Sequence, residues 1–280
     1  MALSTTWLAQ LPIPPVTTAT PVSGGDINQA YRLETSEGPY FLLVQPQTPA
    51  SFYSHEVAGL RALSQAVNVP EVFGTGNIAG DAYLLLEFLA TGHGSQYDLG
   101  QAVARVHRVT APQFGFDQDN LVAKLPKNNH WQSDWTTFYL QQRLDPLVQR
   151  AQQHGLWNDQ RATGYARVRQ HIVAENHGRQ ITPSLLHGDL WAGNYLFTAD
   201  GTPTLIDPDT LYGDREFDLA MTTIFGGFTQ DFYKGYNAAY PLTAGYAQRL
   251  PHYQLYYLLA HLNLFGETYG GAVDDLLARG

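Results

Sequence analysis

The sequence predicts an α+β chain in two lobes, a small antiparallel sheet lobe with one helix followed by a larger, mainly helical lobe. Three observations predict it. Short apolar runs separated by turn signals dominate the chain up to Leu89. One stretch among them has helical period instead. Past Thr91 the period becomes helical throughout, as at Leu99, Ala102, Val103 and Val106 and again at Leu255, Leu258, Leu259 and Leu262. The expected division is 1–89 and 90–280.

In order, Ser23 to Leu33 reads as a glycine-bearing turn between two strands. Glycines allow close backbone approach to a phosphate, which makes Gly24, Gly25 and Asn28 candidates for contacting a nucleotide; an ordinary hairpin is the plainer alternative. A strand follows at Pro39–Val44. A helix is expected over Ala50–Ala66, where Val57, Leu60, Leu63 and Val67 fall near helical spacing and Glu56 is carried along. Strands at Glu71–Gly76 and Ala82–Phe88 flank a turn at Asn77–Asp81, and Glu87 and Leu89, in the run that closes the lobe, join the nucleotide-binding candidates. In the second lobe, Trp131, Trp135, Phe138 and Tyr139 open a helix whose aromatics should pack in the core. Phe114–Asn129 reads as a polar loop. Tyr195–Phe197 and Thr204–Ile206 read as a hairpin about Ala199-Asp200-Gly201.

Composition narrows the function classes. The chain has 280 residues, a formal charge of −9 and no cysteine. Thiol catalysis and a disulfide framework are excluded, and the charge gives no general attraction to nucleic acid or to an anionic membrane. The amino terminus lacks the basic and apolar segments of a signal peptide, and the most apolar run, Tyr83–Ala90, contains Glu87 and is too short to span a bilayer. A cytoplasmic protein acting on a small molecule is expected, with no nucleic-acid or membrane partner and with oligomeric state open.

The chemistry concentrates in Leu186–Asn194, read Leu-His-Gly-Asp-Leu-Trp-Ala-Gly-Asn. Asn194 follows Asp189 by five residues, and Asp207 follows Asn194 by thirteen. Asp and Asn often serve as turn residues, but turn chemistry gives no reason for these offsets. They resemble the kinase arrangement, in which an Asp accepts the substrate hydroxyl proton, an Asn holds Mg²⁺, and a later Asp holds the metal bridging the phosphates of ATP. In a protein-kinase-like lobe, Glu56 would be the helix carboxylate that pairs with a strand Lys.

Several motifs together resemble the fructosamine kinase, or ketosamine kinase, family, a relative of the aminoglycoside and choline phosphotransferases. They are Gly24-Gly25-Asp26-Ile27-Asn28; Phe52 through Glu56 to Gly59-Leu60; Phe114-Gly115-Phe116 with Asn120; Trp135 through Phe138 to Arg143-Leu144; His187-Gly188-Asp189-Leu190-Trp191 with Asn194; and Tyr212-Gly213 through Arg215-Glu216 and Asp218-Leu219-Ala220-Met221 to Phe225-Gly226-Gly227-Phe228. The resemblance implies ATP- and Mg²⁺-dependent phosphorylation of a sugar hydroxyl on a ketosamine. It makes Asp189 the base or hydroxyl positioner, Asn194 and Asp207 the metal ligands, Glu56 the helix partner, and Asp218 a brace of the catalytic loop. Trp191 and the Asp209 to Asp214 segment would line the acceptor side.

Three positions depart from the family pattern. Leu43 stands where the family has its phosphate-binding Lys, and no Lys precedes Lys124. Asp209 and Asp214 replace a small residue and a His, two added carboxylates expected to favour an acceptor with a cationic amine. Arg32, on the strand leaving the glycine turn, is the candidate to reach the phosphates or Glu56 in place of the missing Lys. Two alternatives stay open: a catalytically impaired kinase-fold binder of nucleotide or sugar, and a phosphotransferase for another amine-bearing molecule such as an aminoglycoside. Metal-dependent hydrolysis is weaker, since one His and spaced carboxylates do not make a Zn site.

Overall fold

A computed structural model describes residues 3–22, 28–122 and 125–279, which fall into two units, Met1–Ser95 with Leu196–Asp207 and Gln96–Tyr195 with Pro208–Gly280. After a short amino-terminal helix, α1 (Thr5–Leu8), the first unit forms strands β1 (Thr18–Pro21), β2 (Gln29–Thr35) and β3 (Gly38–Gln45). Helix α2 (Ser54–Leu63) follows, entered through a 3₁₀ turn at Ala50–Tyr53, and then β4 (Val72–Ile78) and β5 (Asp81–Glu87). The strands make one antiparallel sheet in the order β1-β2-β3-β5-β4.

Alternation along the strands divides the core between the two faces of the sheet. Tyr31, Leu33, Tyr40, Leu42, Val44 and Leu85 pack with Trp7 and Leu11 on one side, where the Trp7 indole N–H donates to Ile78 O at 3.1 Å. On the other, Ala82, Leu84 and Leu86 meet Tyr53, Val57 and Leu60 of the α2 region, with Phe41 and Leu43 packed against them. Because β5 is covered on both faces, it reads as a continuous apolar run and not as an alternating one. The β4–β5 turn is two residues long, with Ala79 at φ 54° and Gly80 at φ 93°, the backbone a tight hairpin demands.

The second unit opens with α3 (Gln96–His107), followed by the short strands β6 (Asn120–Val122) and β7 (Leu125–Lys127), then α4 (Trp135–Tyr139), a π turn at Leu140–Leu144, α5 (Asp145–Gln153) and α6 (Asp159–Asn176). Beyond β8 (Ser184–Leu186) comes the hairpin β9 (Tyr195–Phe197) and β10 (Pro203–Leu205), then β11 (Leu211–Gly213), α7 (Arg215–Met221), α8 (Gln230–Ala239), α9 (Tyr246–Phe265) and α10 (Gly270–Arg279). Strand β8 pairs antiparallel with β11, joining Leu186 to Leu211. Leu99, Ala102, Val103 and Val106 are all buried, as are Leu255, Leu258, Leu259 and Leu262. Trp135 stacks on Phe138 and Tyr139 in an aromatic core completed by Phe217 and Tyr253. Helices α3 and α8 cross on glycine: a Cβ on Gly100 would lie 2.0 Å from Phe232 O, and one on Gly235 2.0 Å from Tyr97 O.

Two expectations change. The first unit runs to Ser95 and takes in residues 196–207, where the expected division ran at 89/90. The β9–β10 segment is tied there by Leu205 N–H to Asn68 O (3.0 Å), Asn68 Nδ2 to Thr204 Oγ1 (2.8 Å) and Gly92 N–H to Phe197 O (2.8 Å). The segment read as a polar loop holds the β6–β7 hairpin, with Phe114 and Phe116 buried beside it. Three-residue strands are too short to show a period. Among the described residues, no helix is long and apolar enough to cross a membrane.

Candidate functional site

In the second unit the loop that leads into Asp189 is held first from α7. Asp218 on that helix is wholly buried, and its two oxygens accept the backbone N–H groups of His187 (2.7 Å) and Gly188 (2.8 Å). His107 Nε2 lies 3.1 Å from the same carboxylate while Nδ1 lies 2.8 Å from Tyr236 OH, so an Nε2–H tautomer satisfies both contacts. Two carbonyls complete the loop's backbone pairing. Asp209 N–H donates to His187 O (2.9 Å), and the Tyr257 hydroxyl donates to Gly188 O (3.2 Å). Burial, and then nearby carboxylates, push the Tyr257 phenol up, which keeps it a proton donor. Gly188 itself has φ 86°, and a Cβ there would stand 1.8 Å from Asp209 O, so no other residue fits.

The loop thus fixed presents Asp189, half-buried, whose Oδ2 accepts from Asn194 Nδ2 at 3.0 Å; the same amide nitrogen reaches Asp189 O at 2.9 Å. With Nδ2 donating, Oδ1 is the acceptor atom of the Asn194 amide. Among the described residues no group of three or more His, Cys, Asp or Glu could form a metal cage. Mg²⁺ takes a different donor set, one or two protein oxygens completed by water and phosphate; the Asn194 amide of the second unit carries one oxygen of that kind, and the Asp207 carboxylate of the first unit is another of the same chemistry. Trp191 is 40% exposed and lies over Gly193, where a Cβ would come within 2.3 Å of the indole.

The two added carboxylates are both answered internally. Asp214, 2% exposed, caps α7 through Glu216 N–H (3.0 Å) and takes the Tyr253 hydroxyl (2.7 Å) and Arg179 Nη1 (2.7 Å). Its expected place on the acceptor side is therefore corrected: helix capping and an ion pair hold it in the interior. Asp209 accepts from Lys127 Nζ and from Asn120 Nδ2 (2.8 Å), so the pair of extra charges expected to attract an amine is compensated. Burial pulls the Lys127 ammonium down to about 8, with Asp209 pulling the other way. No spacing in the sequence points to Lys127 or His107, since each meets its partner across the fold.

In the first unit, Glu56 sits in the first turn of α2, and Asp207 has φ 51°, a left-handed backbone that Asp tolerates better than most residues. Leu43 lies between Ala30 and Leu84 in the sheet and packs against the α2 core, so apolar contact occupies the position of the family's Lys. Arg32 does not take over that duty. Its Nε is 2.8 Å from Glu34 and its guanidinium stands 4.4 Å over the Phe88 ring, because Glu34, two residues along the strand, shares its face. Asn28 Oδ1 accepts from Tyr53 OH (3.1 Å), and Glu87, exposed at the end of β5, accepts Glu71 N–H (3.3 Å). Leu89 is half-buried just beyond, while Gly24 and Gly25 lie outside the described residues.

Burial, and after it the neighbouring Asp207 carboxylate, hold the Glu56 carboxyl well above the usual carboxylate range. A carboxyl raised in the folded state takes up a proton on folding. Stability therefore falls as pH climbs from about 4.5, the unfolded value, toward the raised one. Glu56→Gln should raise the melting temperature of the nucleotide- and metal-free protein at neutral pH, with the gain vanishing below about pH 4.5. A Gln variant that melts lower than the native chain at neutral pH would contradict this reading.

Comparison with known proteins agrees with the geometry. The fructosamine kinase family model matches residues 2–279. The chain is 60% identical over 279 residues, all of both chains, to a protein of Lactiplantibacillus plantarum named "Probable ketoamine kinase". It is 33% identical to the "Protein-ribulosamine 3-kinase, chloroplastic" of Arabidopsis thaliana, over 91% of this chain and 81% of that one. Among solved structures, a "putative fructosamine-3-kinase" of Thermobifida fusca superposes with a TM-score of 0.88 at 29% identity, covering 98% and 96% of the two chains. An aminoglycoside phosphotransferase in complex with AMP-PNP and hygromycin B superposes at 0.64 and 18% identity over 95% of each, a likeness of fold. The small antiparallel sheet, the larger helical unit and the braced Asp189 loop are those of a kinase-like α+β fold, and the chain belongs to the fructosamine kinase family, phosphotransferases with an alcohol group as acceptor.

Proposed function

We propose that this chain transfers the γ-phosphoryl group of ATP to a sugar hydroxyl of a ketosamine, a sugar joined to an amine. The observation that carries the reading is the Asp189–Asn194 pair on a loop whose backbone groups are bonded to Asp218, Asp209 and Tyr257. A carboxylate held in one rotamer by an amide can accept the hydrogen of an incoming hydroxyl, orient its oxygen for in-line attack and take the proton as the bond forms. Such positioning is the main thing a protein contributes to phosphoryl transfer. Asn194 and Asp207 would hold Mg²⁺, which when bound neutralises charge developing on the phosphate oxygens.

Trp191 supports a sugar acceptor, since an exposed indole beside Asp189 offers a flat apolar face to a sugar ring. The relatives' names point to ketoamines and ribulosamines and the solved neighbour's complex to a nucleotide; these support the substrate class and the use of ATP. A cytoplasmic location belongs to the same proposal, consistent with a chain without cysteine. A second reading, nucleotide binding with little turnover, is favoured by Leu43 and by the placement of Arg32 on Glu34.

The two readings part on turnover. With ATP, Mg²⁺ and a fructosamine, the native chain should release ADP in step with phosphorylated acceptor; nucleotide binding without any transfer across a panel of ketosamines would favour the second. Asp189→Asn should remove nearly all transfer while leaving ATP affinity close to native, because the carboxylate serves the hydroxyl. Asp207→Asn should instead weaken Mg²⁺-dependent nucleotide binding, measured by calorimetry. Near-native turnover in the first variant, or equal ATP affinity with and without Mg²⁺ in the native chain, would contradict the assignment.

A further inference from the structure

Two residues past Asp207, Asp209 brings a charge where the family pattern has a small residue, and the fold supplies its counter-charge from β7. The Lys127 side chain is 4% exposed and that of Asp209 13%, and Asn120 takes the second carboxylate oxygen. This pair is built into the wall of the Asp189 loop. Asp209 donates its N–H to His187 O, its carbonyl abuts Gly188, and Asp189 is among the charges that act on the Lys127 ammonium. The other groups facing that ammonium are Arg143 of the π turn and Tyr256 of α9, whose ring centroid is 5.8 Å from Nζ.

Two opposite charges in contact project little field beyond themselves. Remove Lys127, and the Asp209 charge is uncovered in a poorly screened environment, where it is felt across most of a nanometre; remove Asp209, and the Lys127 charge is uncovered at a pH low enough to keep it protonated without the carboxylate that raises it. We propose that Lys127 and Asp209 form a charge-cancelling pair that determines acceptor selectivity: by keeping the acceptor side of Asp189 near electrical neutrality, they let the chain take ketosamines whose amine portion carries either a carboxylate or a second, cationic amine. Lys127 is too enclosed to touch an acceptor and acts through its field. The proposal rests on the phosphotransfer reading for where the acceptor sits. Asp214 plays no such part, because its partner Arg179 and its capping bond keep it inside α7's own network.

The test compares two acceptors on each protein, fructose linked to glycine, which carries a carboxylate, and fructose linked to a diamine, which carries a free ammonium. Their ratio is read both as kcat/KM and as Kd by calorimetry, so that any loss of active protein cancels in the kinetic ratio. Relative to native, Lys127→Met should move the ratio about tenfold toward the cationic acceptor, and Asp209→Asn, compared at a pH low enough to keep Lys127 protonated, about tenfold toward the anionic one, the order expected for one uncovered charge at a protein-like dielectric. The double variant should return to within about threefold of native, since it uncovers neither charge. If Lys127→Met fails to fold, Asp209→Asn and the double variant still decide the matter. Single variants that leave the ratio unmoved, or move it in the same direction, overturn the charge balance while transfer by the native chain stands. A native chain that binds both acceptors but phosphorylates neither overturns phosphotransfer instead, and the Kd ratios then judge the pair alone. A native chain that binds neither acceptor overturns both.

Discussion

The carboxylate of Asp218 is the constraint on which the rest of the second unit depends. Fully enclosed, it would cost several kcal/mol to desolvate without partners. Two backbone N–H groups and a histidine nitrogen meet it, and hydrogen bonds to a charged group contribute roughly 1.5–3 kcal/mol each. The helical architecture follows from the same requirement. His107 ends α3, its other nitrogen is met by Tyr236 of α8, and those helices approach closely enough only because Gly100 and Gly235 lie at their crossing. A substitution at either glycine, far along the chain from the loop, would push the histidine off its carboxylate.

Charge is handled differently at the three positions that depart from the family pattern. Asp214 and Asp209 each arrive with a local cation and a hydrogen-bond donor, so their negative charge is confined. Leu43 brings no substitute: its neighbours are apolar, and Glu56 is influenced by its own burial and by Asp207. A family member without the strand Lys thus holds a half-buried carboxyl that burial favours in the protonated form, where the kinase pattern would have a neutralised ion pair.

Much of this could be read in the sequence. The Asp189, Asn194 and Asp207 offsets, the strand and helix order of the first unit and the apolar face of α3 are local patterns, and Asp218 as a brace followed from the family motif. What could not be read is non-local. His107 and Lys127 meet their partners only after the chain has folded back on itself. Residues 196–207 pack with the first unit through Asn68 and Gly92, contacts no periodicity encodes. Arg32 is the candidate to reach the phosphates or Glu56 from the sequence because it lies on the strand leaving the glycine turn and is the only basic residue before His55, yet Glu34 on the same strand face and the Phe88 ring hold it. The acidic positions misled for a related reason: a formal charge counted along the chain says nothing of the partner that cancels it.

If Asp218 is what holds Asp189 in place, replacing it should separate catalysis from binding. The most direct measurement is the single-turnover rate of Asp218→Asn with ATP, Mg²⁺ and a fructosamine, alongside the ATP dissociation constant and the cooperativity of thermal unfolding. An asparagine can accept with one oxygen only and turns a donor toward the second N–H. The rate should therefore fall on the order of a hundredfold, as expected for a displaced positioning group, with nucleotide affinity unchanged and unfolding still cooperative. A single-turnover rate near native in a folded Asp218→Asn protein would contradict the account.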